Sequence, residues 1–339
     1  MNITIEDVAR VANVSKATVS AVLNNKSTVA PATRDKVLDV IKRLNYRPSE
    51  VARSLSIRKT RCIGLVIKEI DNPYFARVMK GVFDCCCENG YTVLLGSSEL
   101  SPAQELQSIE TLVSQRVDGL IVSPLQDQEM DFLHLAELLR KKIPLVTLGA
   151  IGNYSTNVVD IDNVRAAQMA VSYLIQLGHR DIAYFAGPSY SSHSRDRLAG
   201  YHQAFIEHNL PIPKDRTQPA GSSIASSYQA AMNFFSNTKS IPSAVFCYND
   251  LVAIGLINAL QQLGIAVPDQ VSVLGFDDID ISAFLSIPLT TVHVPAYEIG
   301  YKAAEMLIQQ MQQPERFLNE KLILEVKLIE RKSCTRHES

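Results

Sequence analysis

Short apolar runs alternate with helical stretches along most of this 339-residue chain, and this alternation limits its possible folds more than any other feature. The stretches between the runs repeat apolar residues with a 3.6-residue period. Strands that alternate with helices usually pair in parallel, in sheets that helices cover on both faces. The apolar runs are 62–67, 92–96, 118–122, 144–149, 182–187, 244–248 and 271–276, and the helical stretches include 102–116, 163–177, 194–208 and 250–263.

A break at residues 160–162 divides this α/β body into two similar halves, so we expect two sheets. Two sheets joined by several chain crossings form a hinged pair of subdomains, with a cleft where the carboxyl ends of the strands converge. The predicted subdomains are N-terminal, residues 62–162 plus about 291–320, and C-terminal, residues 163–290 plus about 321–332.

Residues 4–24 are typical of two short helices joined by a tight turn. Thr4 and Asp7 form a capping-box-like start, Asn13 tolerates the left-handed turn, and Ser15 caps the second helix. The pair has an apolar inner side made of Ile5, Val8, Ala9, Ala12, Val19, Val22 and Leu23. This pattern favours a helix-turn-helix, although a plain surface helix pair is the alternative.

The outer face of the second helix carries short hydroxyl and amide side chains beside one lysine. Such groups suit hydrogen bonds to phosphates and close approach to base edges.

A third helix begins at Pro31, with an apolar stripe at Val37, Leu38, Val40, Ile41 and Leu44. Pro48 ends it, and residues 50–56 form a short helix that is stable only against a partner. The predicted domains are a head, 1–47, and a hinge segment, 48–61.

Charge separates the head from the body. Residues 1–61 hold 12 Lys/Arg and 5 Asp/Glu, a net charge of +7, and the rest of the chain holds 21 and 30, a net charge of −9. A basic terminal module on an acidic body fits a contact with a polyanion.

The composition also bounds the location and the cofactors. No secretory signal or membrane-spanning run is recognisable, and we expect a cytoplasmic protein. The six cysteines have no metal-ligand spacing, so neither a metal nor a cofactor is expected. We interpret them as reduced thiols in the interior, with a redox role for Cys85–Cys87 as the alternative.

Several motifs recur in the order that one family uses. In the head they are DVARVANVSKATVSAVLN and TRDKVLDVIKRLNYRPSEVARSL, and in the body DNPYF, GHRDIAYFAGP, YNDLVAIG and VSVLGFDDI. The chain thereby resembles, over nearly its whole length, the lactose-repressor/galactose-repressor family of bacterial transcription regulators, and most of all its purine-repressor branch. The resemblance implies a helix-turn-helix head on a two-subdomain, periplasmic-binding-protein-like body that binds an effector and dimerises.

The resemblance also implies how DNA is read. Lys16, Ala17 and Ala21 match the base-reading positions, and Leu55 matches the side chain that wedges into the minor groove. Relatives often have Arg or His where Ala21 stands, so we expect fewer direct base contacts or an A·T-rich half-site. The other expected DNA contacts, mainly to phosphates, are Thr4, Ser15, Thr18, Ser20, Asn24, Thr33, Tyr46 and Ser49.

The expected assembly is a dimer. No leucine heptad follows the strand-like run 322–330, so a homodimer is expected rather than a tetramer. Two heads related by a two-fold axis would read a near-palindromic double-stranded operator.

Candidate effector-binding residues lie on loops just after strands. By resemblance, Arg197, Asn249 and Asp277 match the positions that grip the effector, and Phe75 matches the purine-stacking aromatic. The remaining candidates are Asn72, Tyr74, Gly149, Ser191, His193 and Phe276. The structural alternatives stay open: a surface ion pair of Arg197 with Asp196 or Asp181, a turn-capping role for Asp277 and Asp278, and a surface position for His193.

Two departures from the family bear on the effector. Sugar-binding members often have Asp where Gly149 stands, and some stack a Trp on the sugar, whereas this chain has no Trp. Purine-binding members have basic and hydroxyl groups where Ser191 and His193 stand, and this Ser disfavours a purine. A small sugar, or a phosphorylated one held by Arg197 and His193, is therefore expected.

The function that this sequence predicts is repression of a metabolic operon under allosteric control by that small molecule. A free-standing sugar-binding protein would need an export signal and no DNA-binding head. An enzyme would need a catalytic constellation, and the chain has no G-x-G-x-x-G, P-loop or G-x-S-x-G motif.

We expect Leu55→Ala to weaken binding to the operator far more than binding to unrelated DNA. The reason is that a minor-groove wedge acts only where the duplex can be kinked. Mobility-shift titrations with both duplexes test this, and equal losses on the two would contradict the wedge.

Overall fold

A computed structural model describes residues 3–23, 27–46, 60–125, 132–152, 154–189, 191–313 and 319–337. The chain divides into two compact units, the head, Met1–Thr60, and the body, Arg61–Ser339. In these described ranges, no helix has both the length and the apolar character needed to cross a membrane.

The head consists of three helices, α1 (Ile5–Ala12), α2 (Lys16–Leu23) and α3 (Pro31–Arg43). Thr4 and Asp7 form the predicted capping box, and Asn13 ends α1 in the left-handed conformation with φ 50°. The Oγ atom of Ser15 accepts a hydrogen bond from the backbone N–H of Thr18 at 3.1 Å, as a cap of α2 should. The predicted start of α3 at Pro31 is likewise confirmed.

The core of the head contains most of the predicted apolar residues. Val8, Ala12, Val19 and Val37 are fully buried. The prediction for Leu38 is wrong, because this side chain is 48% exposed on the outer face of α3.

The body contains two six-stranded sheets. The N-terminal sheet is formed by β1 (Cys62–Ile67), β2 (Thr92–Ser97), β3 (Gly119–Val122), β4 (Leu145–Leu148), β5 (Asn157–Ile161) and β11 (Lys321–Leu324), in the order β11-β5-β4-β3-β1-β2. The C-terminal sheet is formed by β6 (Ile182–Ala186), β7 (Thr217–Pro219), β8 (Ala244–Cys247), β9 (Ser272–Asp277), β10 (Thr290–His293) and β12 (Lys327–Ile329), in the order β12-β10-β9-β8-β6-β7. All neighbours pair in parallel except β12, which is antiparallel to β10.

Helices connect most of the successive strands, and such crossover helices are the usual links between parallel strands. They are α4 (Pro73–Glu88), α5 (Pro102–Ser114), α6 (Leu133–Arg140), α7 (Asn163–Gln176), α8 (Ser192–Glu207), α9 (Ile224–Asn237), α10 (Asp250–Gln262) and α11 (Ala296–Gln312), with a 3₁₀ turn at Asp280–Ala283. All seven predicted strands are present, and the four predicted helical stretches correspond to α5, α7, α8 and α10.

The chain crosses between the subdomains three times, and two crossings differ from the expected boundaries. The strand β10 lies in the C-terminal sheet and β11 in the N-terminal sheet. The boundaries expected near 291 and 321 therefore move to the links after His293 and after Leu324. The single strand-like run 322–330 is in fact two short strands, one in each sheet.

No disulfide bond joins any cysteines of the described residues. Cys85, Cys86 and Cys247 are buried, whereas Cys87 is exposed. Burial raises the pKa of Cys85 to about 11 and that of Cys86 to about 12. Two of the three thiols in the Cys85–Cys87 run therefore carry little thiolate at neutral pH, and the reactive form of a cysteine is the thiolate.

Helices α4 and α11 approach each other closely because each has a glycine at the crossing. A Cβ atom on Gly81 would lie 2.0 Å from the backbone oxygen of Tyr297, and one on Gly300 would lie 2.0 Å from the backbone oxygen of Val78. Both neighbours are backbone atoms, which cannot move without shifting a whole helix.

We expect Gly81→Ala to lower the free energy of unfolding by about 1–3 kcal/mol, because the added methyl group forces the two helices apart. Urea unfolding followed by circular dichroism measures this change. Cys87→Ala, on the exposed face of the same helix, is the control. A Gly81→Ala variant as stable as this control would contradict the close packing.

Candidate functional site

The carboxyl ends of the strands of both sheets meet at a cleft within the body, as parallel strand order predicts. Lys68 and Glu69 follow β1, and Asp160 lies in β5, all on the N-terminal side. Tyr248 follows β8, and Asp277 ends β9, on the C-terminal side. The space open to the centres of water molecules is about 60 Å³. This is room for roughly four waters, or for one small ligand.

Arg197 is the most heavily engaged side chain of the cleft. It lies on α8, is 6% exposed, and its Nε atom donates to Oδ1 of Asn163 at 3.0 Å. Its Nη1 atom donates to the backbone oxygen of Tyr248, and Nη2 lies 3.8 Å from Oδ1 of Asp277. The guanidinium carbon stands 3.6 Å from the ring centre of Phe276 and 4.8 Å from that of Tyr248. Aromatic faces attract cations, so both rings help to keep this buried charge in place.

Three carboxyl groups face the cleft with different electrostatic environments. Burial raises the pKa of Asp277 to about 8, against the opposing effect of Arg197. Burial also raises the pKa of Glu69, which accepts a hydrogen bond from Oγ of Ser222 at 3.0 Å across the two subdomains. For Asp160, burial is outweighed by His193, the Ile161 N–H and Lys68, and its pKa is lowered. Asp160 is thus the carboxylate of the three that is most firmly ionised.

Two nitrogen donors in the cleft lack a hydrogen-bond partner among the described residues. Lys68 is 8% exposed, and within the described ranges its Nζ atom has no hydrogen bond or ion pair. The Nε2 atom of His193 is buried without a hydrogen-bond partner, and its nearest acidic atom is Oδ1 of Asp160 at 3.8 Å. Burial lowers the pKa of Lys68 to about 8, because an ammonium without a partner is poorly solvated there.

Most of the predicted effector-binding residues come together. The cleft lining includes Asn72, Tyr74, Phe75, Ser191, His193, Arg197, Asn249 and Asp277. The alternatives for three of them are wrong: Arg216, not Arg197, pairs with Asp181; Asp278 binds Arg331 and His293; and His193 is not a surface residue.

Three predictions need correction. Gly149 and Phe276 are missing from the described lining of the cleft. Gly149 turns with φ 103° and donates its N–H to Val159 at 3.3 Å, while Phe276 lies under the guanidinium of Arg197. The side chain of Asn249 is already in use, because Oδ1 caps α10 at Val252 and Nδ2 donates to the backbone oxygen of Ser222.

The sequence-based reasoning missed seven polar residues of the lining: Lys68, Glu69, Ser123, Asp160, Asn163, Ser222 and Tyr248. Lys68, Glu69 and Ser123 follow predicted strands and Tyr248 ends one, so the rule that found the other candidates could also have found them. Asp160 lies in β5 and Ser222 follows β7, strands that were themselves missed.

The head presents the expected outer face of α2. Ser15, Lys16 and Ala17 are exposed. Thr18, Ser20, Ala21 and Thr33 are half-buried. Two contacts were not expected. Lys16 forms an ion pair with Glu6, and Tyr46 packs against the core of the head. Thr4 is exposed, and its hydroxyl is engaged in the capping box. Asn24, Ser49, Leu55 and most of the hinge segment lie outside the described residues.

A helix-turn-helix head joined to a two-subdomain body with a buried polar cleft defines a ligand-responsive DNA-binding regulator. Residues 4–49 match the lacI family of bacterial regulatory proteins, and residues 171–334 match a periplasmic binding protein-like domain. The chain is 36% identical to the HTH-type transcriptional repressor PurR of Vibrio campbellii, over 95% of each chain.

Two solved structures are similar as well. The Lac repressor dimer bound to operator and the anti-inducer ONPF has 28% identity and a TM-score of 0.88, over 99% of this chain and 100% of that one. A LacI family regulator from Enterococcus faecium with bound ribose has 26% identity and a TM-score of 0.72, over 82% and 100%.

The chain therefore belongs to the lacI family of bacterial regulatory proteins, and its similarity to a PurR repressor agrees with the purine-repressor branch. It is a DNA-binding transcriptional repressor under allosteric control by a small molecule, not an enzyme. The predicted class of fold and function is confirmed.

The raised pKa of Asp277 predicts how stability depends on pH. The folded protein keeps this proton up to about pH 8, whereas the unfolded chain loses it near pH 4, so stability falls as the pH rises between these values. Between pH 5 and pH 8 we expect the wild type to lose at least ~1 kcal/mol relative to Asp277→Asn.

Urea unfolding of both proteins at several pH values measures this difference, with Asp269→Asn, an exposed residue, as the control for losing one charge. If the difference in the free energy of unfolding between wild type and Asp277→Asn does not change with pH, Asp277 is ionised over the whole range.

Proposed function

We propose that this protein is a homodimeric cytoplasmic repressor that binds a near-palindromic operator and senses a small, polyhydroxylated effector. The observation that carries this proposal is the Arg197 network. It joins α8 to Asn163 at the first crossing between the subdomains and to the cleft end of β9. All of its members belong to the C-terminal subdomain, so a ligand that touches both this network and the N-terminal side of the cleft would connect the two subdomains.

The chemistry of the lining favours a sugar-type effector over a purine. Acceptors (Glu69, Asp160, Asp277) and donors (Lys68, His193, Arg197) line the same small space, which suits a ligand with several hydroxyl groups. Ser191 and Ser222 offer small hydroxyls rather than flat or charged surfaces. The ribose bound to the Enterococcus faecium relative supports a ligand of this size.

Contacts across the cleft supply the allosteric coupling. Glu69 of the N-terminal subdomain accepts from Ser222 of the C-terminal one, and Arg77 of α4 pairs with Asp280 beside β9. An effector changes operator affinity only if it binds the closed and open arrangements unequally. A ligand with hydrogen bonds to both subdomains meets this condition.

The dimer is supported by apolar side chains exposed on both subdomains. Phe83 on α4 is 57% exposed and Phe284 is 81% exposed, with Ile70 and Ile281 exposed as well. Large exposed apolar residues indicate interaction surfaces when they cluster. The Lac repressor structure is a dimer on its operator, and we expect the same arrangement to set the spacing of two heads.

Operator contacts are assigned to the exposed face of α2. Lys16 would release Glu6 to reach guanine, and Ala17 would contact a thymine methyl group. The roles of Ser15, Thr18, Ser20, Thr33 and Thr4 at phosphates, and of Leu55 at the central step, remain part of this proposal.

We expect Arg197→Met to abolish the response of operator binding to the effector. The operator is first selected from a random duplex library with the full-length protein, and affinity is then measured by fluorescence anisotropy with and without D-ribose, D-glucose and their acids. Arg195→Met, on the same helix but not part of the cleft lining, is the matched control. A response that survives in Arg197→Met would overturn the assigned role of the cleft.

A further inference from the structure

We propose that the effector carries one carboxylate, which binds between Lys68 and His193, so that the natural ligand is a small sugar acid. This inference rests on the proposed effector cleft and concerns what fills one end of it. Two observations carry it. On one subdomain, the ammonium of the buried Lys68 has no hydrogen bond or ion pair with a described residue, and on the other, the buried Nε2 atom of His193 has no hydrogen-bond partner in the same described ranges.

Lys68 stands near acidic residues, but each of them is already engaged. The two oxygens of Glu105 accept from the backbone N–H of Leu125 at 2.6 Å and pair with Nε2 of His134 at 2.8 Å. Asp160 accepts from the Ile161 N–H at 2.7 Å, and Glu69 accepts from Ser222. The buried ammonium is thus stabilised only at longer range, a costly state unless a ligand completes it.

His193 faces the same space from the C-terminal subdomain. It belongs to the first turn of α8, where the N-terminal end of a helix favours negative charge. Its Nε2 atom is 3.8 Å from Asp160, too far for a hydrogen bond. A carboxylate has two oxygens, one for the ammonium and one for the ring N–H, and would connect the two subdomains.

A carboxylate fits these donors better than a phosphate does. A phosphate brings three terminal oxygens and a charge near −2, and it would lie close to Asp160 and Glu69. The raised pKa of Asp277, about 8, leaves the cleft with one fewer fixed negative charge at neutral pH to oppose a carboxylate.

Calorimetric titration of the full-length protein tests this assignment. The probes are D-glucose, D-gluconate, D-glucuronate and D-glucose 6-phosphate, with D-ribose and D-ribonate as a shorter pair. We expect at least one acid to bind more than 10-fold tighter than its parent sugar. Lys68→Met should weaken that acid about 10- to 100-fold, as expected for a charge-assisted hydrogen bond, and should change the parent sugar less than threefold.

Three variants separate binding from folding. Lys68→Met is expected to unfold at the same or a higher temperature than the wild type, because it removes a buried charge that forms no ion pair with a described residue. Lys68→Arg should retain the preference for the acid. Lys80→Met, which removes an exposed lysine paired with Asp84, should leave binding unchanged.

A neutral sugar that binds as well as its acid, a phosphate ester that binds better than the acid, or no binding by any probe would overturn the carboxylate. Only the last outcome, with an operator affinity that no probe alters, would also count against the proposed function. An acid whose affinity is unaffected by Lys68→Met would place the carboxylate elsewhere.

Discussion

The buried guanidinium of Arg197 is the interaction on which the cleft depends. A charge that is 6% exposed persists only if polar and aromatic groups replace its hydration, and here they come from separate parts of the chain. Asn163 lies at the crossing between subdomains, Tyr248 follows β8, and Phe276 and Asp277 end β9. Because one side chain requires all four, their relative positions are fixed together, and the cleft is organised before any ligand enters it.

The end of β9 is held in a conformation that residues with a side chain seldom adopt. Asp277 has φ 105° and Asp278 has φ 58°, and such conformations cost on the order of 1–3 kcal/mol each. Asp250, fully buried, compensates by accepting from the backbone of Ile279 at 2.9 Å and from the hydroxyls of Ser282 and Thr291, both at 2.6 Å. These hydrogen bonds of Asp250 hold the chain after β9 in place. Asp277 therefore faces the cleft, while Asp278 points away from it and binds Arg331 and His293.

The predictable part of the fold was the part set by local pattern. The capping box at Thr4, the turn at Asn13 and the start of α3 at Pro31 each depend on neighbouring residues, and all seven apolar runs became strands. The strands that were missed, β5, β7 and β10, contain Asp, Gln, Thr or His and gain their places by pairing rather than by apolar character. Leu38 was predicted to be buried because its position fits helical spacing, but it is exposed. Spacing alone does not show whether another element packs against a side chain.

Candidate site residues could be located by strand ends, but their roles could not, because a role depends on contacts between distant residues. Asn249 and Phe276 were expected to touch a ligand, yet one caps α10 and the other supports Arg197. The converse holds for Lys68, whose significance appears only when Glu105, Glu69 and Asp160 are seen to be occupied by other partners. Whether the acidic neighbours of a lysine are bound to other groups depends on tertiary contacts, and the sequence does not give these contacts.

The ligand-binding groups lie on both subdomains, and this placement couples ligand binding to the control of operator affinity. Lys68 belongs to the N-terminal subdomain, His193 and Arg197 belong to the C-terminal one, and direct contacts between the two sides include Glu69 with Ser222 and Arg77 with Asp280. A ligand that satisfies donors on both sides stabilises the closed arrangement by about the free energy of those hydrogen bonds, whereas it gains only part of it in an open one. Lys68 and His193, which select the ligand, therefore also make it bind the closed arrangement more tightly than the open one. Allosteric control of operator binding requires this difference in affinity.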